Sequence, residues 1–230
     1  MFLSVIIPAY NEEKRLPATL ETVLDYLKRK KFTFEVIIVD DGSQDGTKKS
    51  LSHFRHNEQV KLISYEKNQG KGYAIQQGVS KAEGDLILFL DADHATPIEE
   101  LDRFLPHIEQ NEVVIGSRYI KGSDIQRKQP RARRIIGRLG NLFIQVFFLP
   151  KIKDTQCGFK LFHTTCAKIL FQDLQIKRFG FDIEILYKAR KKGFAIHEVP
   201  VSWLHMGESR LRPFRDSLRT LFDLLLLRIS

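Results

Sequence analysis

Short runs of apolar, largely β-branched residues alternate with stretches of helical periodicity along the first half of the chain. The runs predict strands at Leu3–Pro8, Phe34–Val39, Val60–Tyr65, Leu86–Leu90 and Val113–Ser117. The stretches between them predict helices around Leu16–Lys30, Gly46–Phe54, Gly72–Ala82 and Pro97–Ile108. This alternation is typical of an α/β fold, in which helices cover both faces of a mainly parallel sheet.

The second half of the chain is less regular. The periodicity stops between Tyr119 and Arg134, where Gly122, Pro130 and several basic residues predict a mobile loop. The segments predicted to follow are a helix at Ile135–Leu149, a strand at Gly158–Phe162, a helix at Phe181–Lys192 and a strand at Ala195–Trp203. Because 230 residues suffice for one well-filled core, we expect one domain over residues 1–211 and an amphipathic C-terminal helix over residues 212–230.

Charge and cysteine content narrow the choice of partner and compartment. The formal net charge is +9 and the pI is about 9.5, which favours an anionic partner: nucleic acid, anionic lipid or a phosphorylated small molecule. Cys157 and Cys166 are the two cysteines, too few for a disulfide framework, so we expect a reducing compartment. No signal peptide and no apolar run of membrane-spanning length is recognised, so we place the chain on the cytosolic side.

Polar clusters follow three of the predicted strands. They are Ala9-Tyr10-Asn11-Glu12, Asp40-Asp41-Gly42-Ser43 and Asp91-Ala92-Asp93. In open α/β sheets ligands bind beyond the carboxyl ends of the strands, so one crevice is expected to collect all three clusters.

Asp91 and Asp93 form the first candidate site. They close an apolar strand two residues apart, a spacing that places both carboxylates on the same side. Two like charges so placed repel unless a cation lies between them, and oxygen ligands suit Mg²⁺ or Mn²⁺, which would hold a diphosphate. The alternative interpretation is a solvated turn, with Asp91 capping the next helix.

Asp40 and Asp41 form the second candidate site. A carboxylate at this place accepts hydrogen bonds from a base N–H or a ribose hydroxyl in other nucleotide crevices. The alternative is a turn with an Asp cap, which accounts for one of the two aspartates but not for both.

Basic residues form the remaining candidates. Lys71, in Asn68-Gln69-Gly70-Lys71-Gly72, precedes a helix and would neutralise a phosphate at its positive end. Arg118 ends the fifth strand, and Arg131, Arg133 and Arg134 end the predicted loop; guanidinium groups suit phosphate oxygens. A solvated basic face is the alternative.

Taken together, these motifs resemble family 2 glycosyltransferases with the GT-A fold, a Rossmann-like α/β fold, and especially the dolichyl- or polyprenyl-phosphate sugar synthases. The resemblance covers nearly the whole chain in order. Its motifs are Val5-Ile-Ile-Pro-Ala-Tyr-Asn-Glu-Glu, Val39-Asp-Asp-Gly-Ser, Asn68-Gln-Gly-Lys-Gly, Leu90-Asp-Ala-Asp, Ile115-Gly-Ser-Arg-Tyr, Asp154-Thr-Gln-Cys-Gly-Phe-Lys, Gly180-Phe-Asp-Ile-Glu and Glu198-Val-Pro-Val.

The resemblance implies roles for individual residues. Asp91 and Asp93 would hold the metal, and Asp182 and Glu184 match a position near the acceptor, for which a buried structural carboxylate is the competing interpretation. Asp93, Arg118 and Arg134 are assigned to catalysis. The nucleotide-binding set is Pro8, Tyr10, Glu12, Asp40, Asp41, Lys71, Asp91 and Ala92; the set for the acceptor and its phosphate is Arg131, Arg133, Asp182, Glu184, Ser209 and Arg210.

One departure from the pattern bears on the sugar. The polyprenyl-phosphate mannose synthases read Asp-Ala-Asp-x-Gln, whereas Ala95 stands at the last position here. The chain is therefore more similar to the dolichyl-phosphate glucosyltransferase branch, which implies UDP-glucose as the donor in place of GDP-mannose. His94 is a candidate metal neighbour or a solvated loop histidine.

Two segments are candidates for contact with the lipid, namely residues 135–149 and 212–229. Both are apolar with basic residues nearby, which suits peripheral binding to an anionic membrane surface, although packing on the core explains the C-terminal segment equally well. The expected reaction is an inverting hexosyl transfer onto dolichyl or polyprenyl phosphate at the cytosolic face of a membrane.

Two other classes of protein fit part of this sequence. A sugar-phosphate nucleotidyltransferase usually opens with a Gly-rich loop after the first strand, where this chain has Pro8-Ala-Tyr-Asn-Glu. A basic nucleic-acid-binding domain fits the charge and residues 131–134 but leaves the carboxylate pairs unexplained. We therefore expect no nucleic-acid partner.

Overall fold

The predicted strands form the centre of the molecule. The computed structural model describes residues 1–126 and 140–204, and residue 223. Its strands, in chain order, are β1 (Phe2–Ala9), β2 (Thr33–Asp40), β3 (Val60–Ser64), β4 (Leu86–Leu90), β5 (Val113–Ser117), β6 (Asp124–Ile125), β7 (Phe159–His163), β8 (Ile196–Pro200) and β9 (Ser202–Trp203).

Helices connect most of these strands. They are α1 (Leu16–Lys28), α2 (Thr47–Ser50), α3 (Lys71–Lys81), α4 (Leu101–Ile108), α5 (residues 140–147), α6 (Thr164–Gln172) and α7 (Phe181–Lys191). Short 3-10 helices lie at Ser52–Phe54 and Ile98–Glu100. The helices predicted in the first half are confirmed to within a few residues at their ends.

Seven strands form the main sheet in the order β3-β2-β1-β4-β7-β5-β8. The strands β3, β2, β1 and β4 run parallel to one another, and β5 runs parallel to β8. Strand β7 lies between β4 and β5 and is antiparallel to both. The prediction of a mainly parallel α/β sheet is confirmed, with one reversed strand in its interior.

The sheet is buried on both faces, as its apolar strands require. Leu3, Val5 and Ile7 of β1 contribute to one core, which α1 and α4 cover. Ile6 of the same strand contributes to the other core, which includes Phe181 and further residues of α3, α6 and α7. The alternation of side chains along each strand thus supplies two helix-covered cores.

Two features of the second half differ from the sequence predictions. No helix was predicted between β7 and α7, yet α6 buries Cys166, Ala167, Leu170 and Phe171, a helical spacing that the sequence already contains. In the segment predicted as a mobile loop, residues 124–126 are held by β9: the N–H of Gln126 donates to the carbonyl of Trp203 at 3.1 Å.

The structure describes only part of the segments to which the remaining predictions for this half apply. Residues 127–134 of the predicted loop lie outside the described residues, as does the predicted helix over residues 212–230 except for residue 223. The division at residue 211 therefore stays a prediction. Within the part of the chain that the structure describes, no helix combines the length and apolarity needed to cross a bilayer.

Both cysteines are free and buried. Burial raises the pKa of Cys157 to about 11 and that of Cys166 to about 12. A thiol with so high a pKa is protonated near neutral pH and is therefore a poor nucleophile.

The core on the α4 side provides a test of the packing. Phe104 is fully buried and meets Phe159 edge-on at 4.9 Å between ring centroids. We expect Phe104→Ala to lower the free energy of unfolding by about 3–5 kcal/mol, because it removes a buried ring and leaves a cavity. The matched control is Phe147→Ala, since Phe147 is 51% exposed; its cost should stay below about 1 kcal/mol. Urea denaturation of both variants measures the difference, and equal costs would contradict this packing.

Candidate active site

The loops that follow β1 and β2 are joined by hydrogen bonds. The N–H of Asn11 donates to Ser43 Oγ at 2.7 Å, and the N–H of Gln44 donates to Asn11 Oδ1 at 2.7 Å. The N–H of Glu12 donates to Thr47 Oγ1 at 2.8 Å. The structure therefore brings the first two predicted clusters together at one edge of the sheet.

Three predicted nucleoside contacts lie on the β1 side of this edge. Pro8 and Tyr10 are half-buried at the end of the strand. Glu12 holds Arg15 through two hydrogen bonds of 2.7 Å, from Nε and Nη2 to its two carboxylate oxygens. The contacts of these residues with a nucleoside stay predictions.

Asp40 and Asp41 have different surroundings, although both are buried. Asp41 accepts hydrogen bonds from Asn68 Nδ2 and from the N–H groups of Gln69 and Gly70 at 2.7–2.8 Å. It therefore organises the turn that precedes α3. Gly70 is needed in this turn, because its φ is +113° and a Cβ there would lie 2.5 Å from the carbonyl oxygen of Lys177.

One of the two carboxylate oxygens of Asp40 makes no hydrogen bond among the described residues. Its Oδ1 accepts the N–H of Ser43 at 3.1 Å. Its Oδ2 is buried without a hydrogen bond among the described residues, and Lys48 Nζ lies 3.7 Å away. A buried oxygen in this condition is costly unless a ligand or water supplies a donor. Of the two predicted aspartates, Asp40 thus has a buried oxygen that makes no hydrogen bond among the described residues, whereas both oxygens of Asp41 accept hydrogen bonds.

Asp91 and Asp93 follow β4, as predicted, but they lie in a turn and not on the strand, because the N–H of His94 donates to the carbonyl of Asp91 at 3.1 Å. The predicted reason, strand alternation, therefore does not set the directions of the two carboxylates.

Lys71 Nζ forms an ion pair with Asp91 Oδ1. The carboxylate of Asp91 lies against the backbone at Gly158, where a Cβ would come within 2.0 Å of Asp91 Oδ2. The residue between the two acids is anchored to α1, because Thr19 Oγ1 donates to the carbonyl of Ala92 at 2.8 Å. The site thus combines residues from β4, α1, the start of α3 and the turn before β7.

The electrostatics around Asp93 favour a bound cation. Burial and the negative charge of Asp91 raise the pKa of Asp93, against the smaller opposing effects of the Ala95 N–H, Arg15 and Lys71. A carboxylate in this position gains stability when positive charge arrives. The two acids therefore fit a divalent cation, for which carboxylate oxygens are suitable ligands.

Protein ligands alone do not complete a metal site. Within residues 1–126 and 140–204, no three His, Cys, Asp or Glu side chains are grouped so that they could hold a metal ion. Further oxygens would have to come from a bound diphosphate or from water, an arrangement typical of Mg²⁺ sites. His94 Nε2 accepts the N–H of Ile98 at 2.9 Å, so this nitrogen is already used and does not serve as a metal ligand here.

Arg118 is paired inside the protein. Its guanidinium donates to both oxygens of Asp154 at 2.7 and 2.9 Å, and its backbone N–H donates to Asp154 Oδ2 at 2.9 Å. The guanidinium also lies 5.5 Å from the centroid of the Trp203 ring. The assignment of Arg118 to catalysis stays a prediction, and the structure offers the ion pair with Asp154 as a purely structural role.

The two acids of α7 also differ. Glu184 is fully buried, and its oxygens accept the N–H groups of Gln175 and Ile176 at 2.9 and 2.7 Å. Lys188 Nζ lies 2.6 Å from the same carboxylate. These contacts support the structural interpretation of Glu184. Asp182, by contrast, forms an ion pair with Lys160, a fully buried residue to which the sequence analysis gave no role.

Five of the predicted site residues cannot be placed. Arg131, Arg133, Arg134, Ser209 and Arg210 lie outside the described residues. Their assignments to catalysis and to the phosphates stay predictions.

Comparisons with known proteins identify the family of the chain. The sequence model of "Glycosyl transferase family 2" matches residues 4–171. The dolichyl-phosphate beta-glucosyltransferase of Homo sapiens is 39% identical over 246 residues, which span 99% of this chain and 75% of the relative. The enzyme of that name from Dictyostelium discoideum is 38% identical, over 99% of this chain and 74% of its own length.

Solved structures share the fold at lower sequence identity. Glucosyl-3-phosphoglycerate synthase from Mycobacterium tuberculosis, in complex with Mn²⁺, UDP and glucosyl-3-phosphoglycerate, superposes with a TM-score of 0.73. Its sequence is 19% identical, and the match covers 97% of this chain and 78% of that one. Mannosyl-3-phosphoglycerate synthase from Rubrobacter xylanophilus gives a TM-score of 0.70 at 16% identity, over 98% and 72% of the two chains. The chain belongs to glycosyltransferase family 2 and has the GT-A fold.

Proposed function

We propose that this chain transfers glucose from UDP-glucose to the phosphate of dolichol or a related polyprenol. The observation that carries the proposal is the similarity to dolichyl-phosphate beta-glucosyltransferases, at 34–40% identity over 92–100% of the chain. Ala95, at the position where the mannose synthases carry Gln, supports the same branch.

The nucleoside is proposed to bind over the joined loops after β1 and β2. The buried Oδ2 of Asp40, which lacks a hydrogen-bond partner among the described residues, is suited to accept the imino N–H of uracil. Asp41 would act indirectly, by holding the turn that presents Lys71. Pro8, Tyr10 and Glu12 would line the same part of the crevice.

The diphosphate is proposed to bind between the two acids after β4 and the start of α3. Asp91 and Asp93 would hold Mg²⁺ or Mn²⁺, which supplies positive charge to the diphosphate as the bond to the sugar breaks. Lys71 is proposed to turn from Asp91 to a phosphate oxygen once the cation neutralises that carboxylate. The charge of the cation and the new contact of Lys71 would both stabilise the departing nucleoside diphosphate.

The acceptor needs little activation. A phosphate monoester has a second pKa of about 6, so it is mostly dianionic near neutral pH and is already a nucleophile. The chain's task is to hold two anionic reactants in line, and direct attack at the sugar carbon inverts its configuration. The arginines at 131, 133, 134 and 210 are proposed to hold the phosphates, together with Ser209.

The lipid acceptor would place the enzyme on a membrane, for which α5 offers a suitable surface. Leu142, Val146 and Phe147 project from this helix with 55%, 63% and 51% exposure. Exposed Lys151 and Lys153 follow the helix, and the chain carries a net charge of +9. Apolar side chains beside lysines suit the interface of an anionic membrane. We place this membrane contact on the cytosolic side, with the segment 212–230 as its second part.

A transfer assay tests the proposed function. The protein is incubated with Mn²⁺, dolichyl phosphate and either labelled UDP-glucose or labelled GDP-mannose, and the label in the lipid phase is counted. We expect label from UDP-glucose, and Asp93→Asn should lower it by about 100-fold or more, because one metal ligand loses its charge. Asp25→Asn, an exposed acid on α1, is the matched control and should leave the rate unchanged. Label from GDP-mannose only would refute glucose as the substrate, and label that never reaches lipid would refute the acceptor.

The membrane surface on α5 has its own test. Phe147→Gln should weaken binding to phosphatidylcholine–phosphatidylserine vesicles by about tenfold, because burial of one aromatic side chain contributes roughly 1.5–3 kcal/mol. Ile169→Gln is the matched control, since Ile169 is 45% exposed on α6. Vesicle co-sedimentation measures both variants. If both substitutions weaken binding equally, α5 is not the contact surface.

A further inference from the structure

Lys160 is a charged residue on an interior strand of the sheet. It lies on β7, its side chain is 0% exposed, and its Nζ is 5.2 Å from the centroid of the Phe89 ring. The ammonium donates to the carbonyl of Cys157 and to Asp182 Oδ1, each at 2.5 Å. Replacing a buried ion pair by apolar side chains often costs no stability. The position of this pair in the site therefore calls for a functional explanation.

The first connection to the site runs through the backbone. The bond from Lys160 to the Cys157 carbonyl holds the turn that leads into β7. The next residue, Gly158, lies so close to Asp91 that a Cβ would come within 2.0 Å of its carboxylate. Lys160 thus fixes the backbone surface against which Asp91 lies.

The second connection is electrostatic and runs through Asp182. Lys71 Nζ forms an ion pair with Asp91 Oδ1, and the negative charge of Asp182 also acts on the Lys71 ammonium. Lys71 Nζ also lies 5.9 Å from the ring centroid of Phe181, the neighbour of Asp182 in sequence. Lys71 is therefore attracted by two carboxylates, and it forms its ion pair with Asp91.

We propose that Lys160 is a positioning residue for the metal and diphosphate site. Because Lys160 neutralises Asp182, Lys71 stays paired with Asp91. From that position Lys71 can form an ion pair with a bound diphosphate. This inference rests on the proposed function, since it assumes a divalent cation at Asp91 and Asp93. It adds a role for a residue that touches neither the cation nor the substrate.

The inference predicts two opposite effects of Lys160→Met, a replacement that keeps the length of the side chain. Without its partner, Asp182 attracts Lys71 away from Asp91, and Asp91 and Asp93 carry more uncompensated negative charge. Mn²⁺ should then bind more tightly, with a dissociation constant lower by at least about threefold. UDP should bind more weakly at saturating Mn²⁺, by about tenfold, because Lys71 no longer reaches the diphosphate.

Two variants control the experiment. Lys160→Met combined with Asp182→Asn removes the carboxylate that would attract Lys71, so both dissociation constants should return to within about twofold of wild type. Lys188→Met breaks a similar ion pair on α7, with the buried Glu184, and should change neither constant. A merely structural role of Lys160 would not move the two constants in opposite directions.

Isothermal titration of the metal-free proteins with Mn²⁺, and then with UDP at saturating Mn²⁺, measures these constants. If the wild type binds Mn²⁺ and UDP while Lys160→Met behaves like Lys188→Met, or loses both affinities together, the inference fails and the proposed function stands. A wild type that binds no Mn²⁺ refutes the metal site and the inference with it. If Lys160→Met does not fold, Lys160→Gln, which is also uncharged but keeps a hydrogen-bond donor, decides by the same criterion. Opposite shifts of the two constants support the inference, and unchanged constants or a joint loss of both affinities overturn it.

Discussion

The arrangement of the site depends on the repulsion between two carboxylates that follow β4. Burial and the charge of Asp91 raise the pKa of Asp93, so the pair is incomplete without added positive charge. Lys71 supplies part of that charge through its ion pair with Asp91. A divalent cation with a diphosphate would supply the rest. On the proposed function, the site would reach its most favourable state when metal and donor are bound together.

The fold serves this pair by bringing separate segments to it. Strand β4 carries the acids, α1 anchors the backbone between them through Thr19, and Asp41 holds the turn before Lys71. The reversed strand β7 runs beside β4 and places Gly158 against Asp91. These segments are far apart in the sequence, so the site exists only in the folded chain.

The sequence predicted those parts of the structure that follow from local patterns. The β-branched runs predicted the first five strands, and the end of the fourth run predicted that Asp91 and Asp93 follow β4. The turn that holds these two acids was not predicted, because the sequence analysis assumed that the strand continues through them. Sequence reasoning could not separate Asp40 from Asp41, because their difference comes from the turn at residues 68–70, which folds back on one of them. For Lys160, a lone lysine in an apolar run gives no sign of its partner Asp182, which lies 22 residues further along the chain. Tertiary pairing of charges, unlike periodicity, leaves no local signal.

The most direct measurement is the anomalous diffraction of Mn²⁺ in a crystal of the protein grown with UDP. The account predicts one strong peak at about 2.1 Å from a carboxylate oxygen of Asp91 and of Asp93 and from the diphosphate oxygens. Lys71 should have left Asp91 for a phosphate oxygen. A peak elsewhere, or UDP bound with Lys71 still paired to Asp91 and no metal between the two acids, would contradict the account.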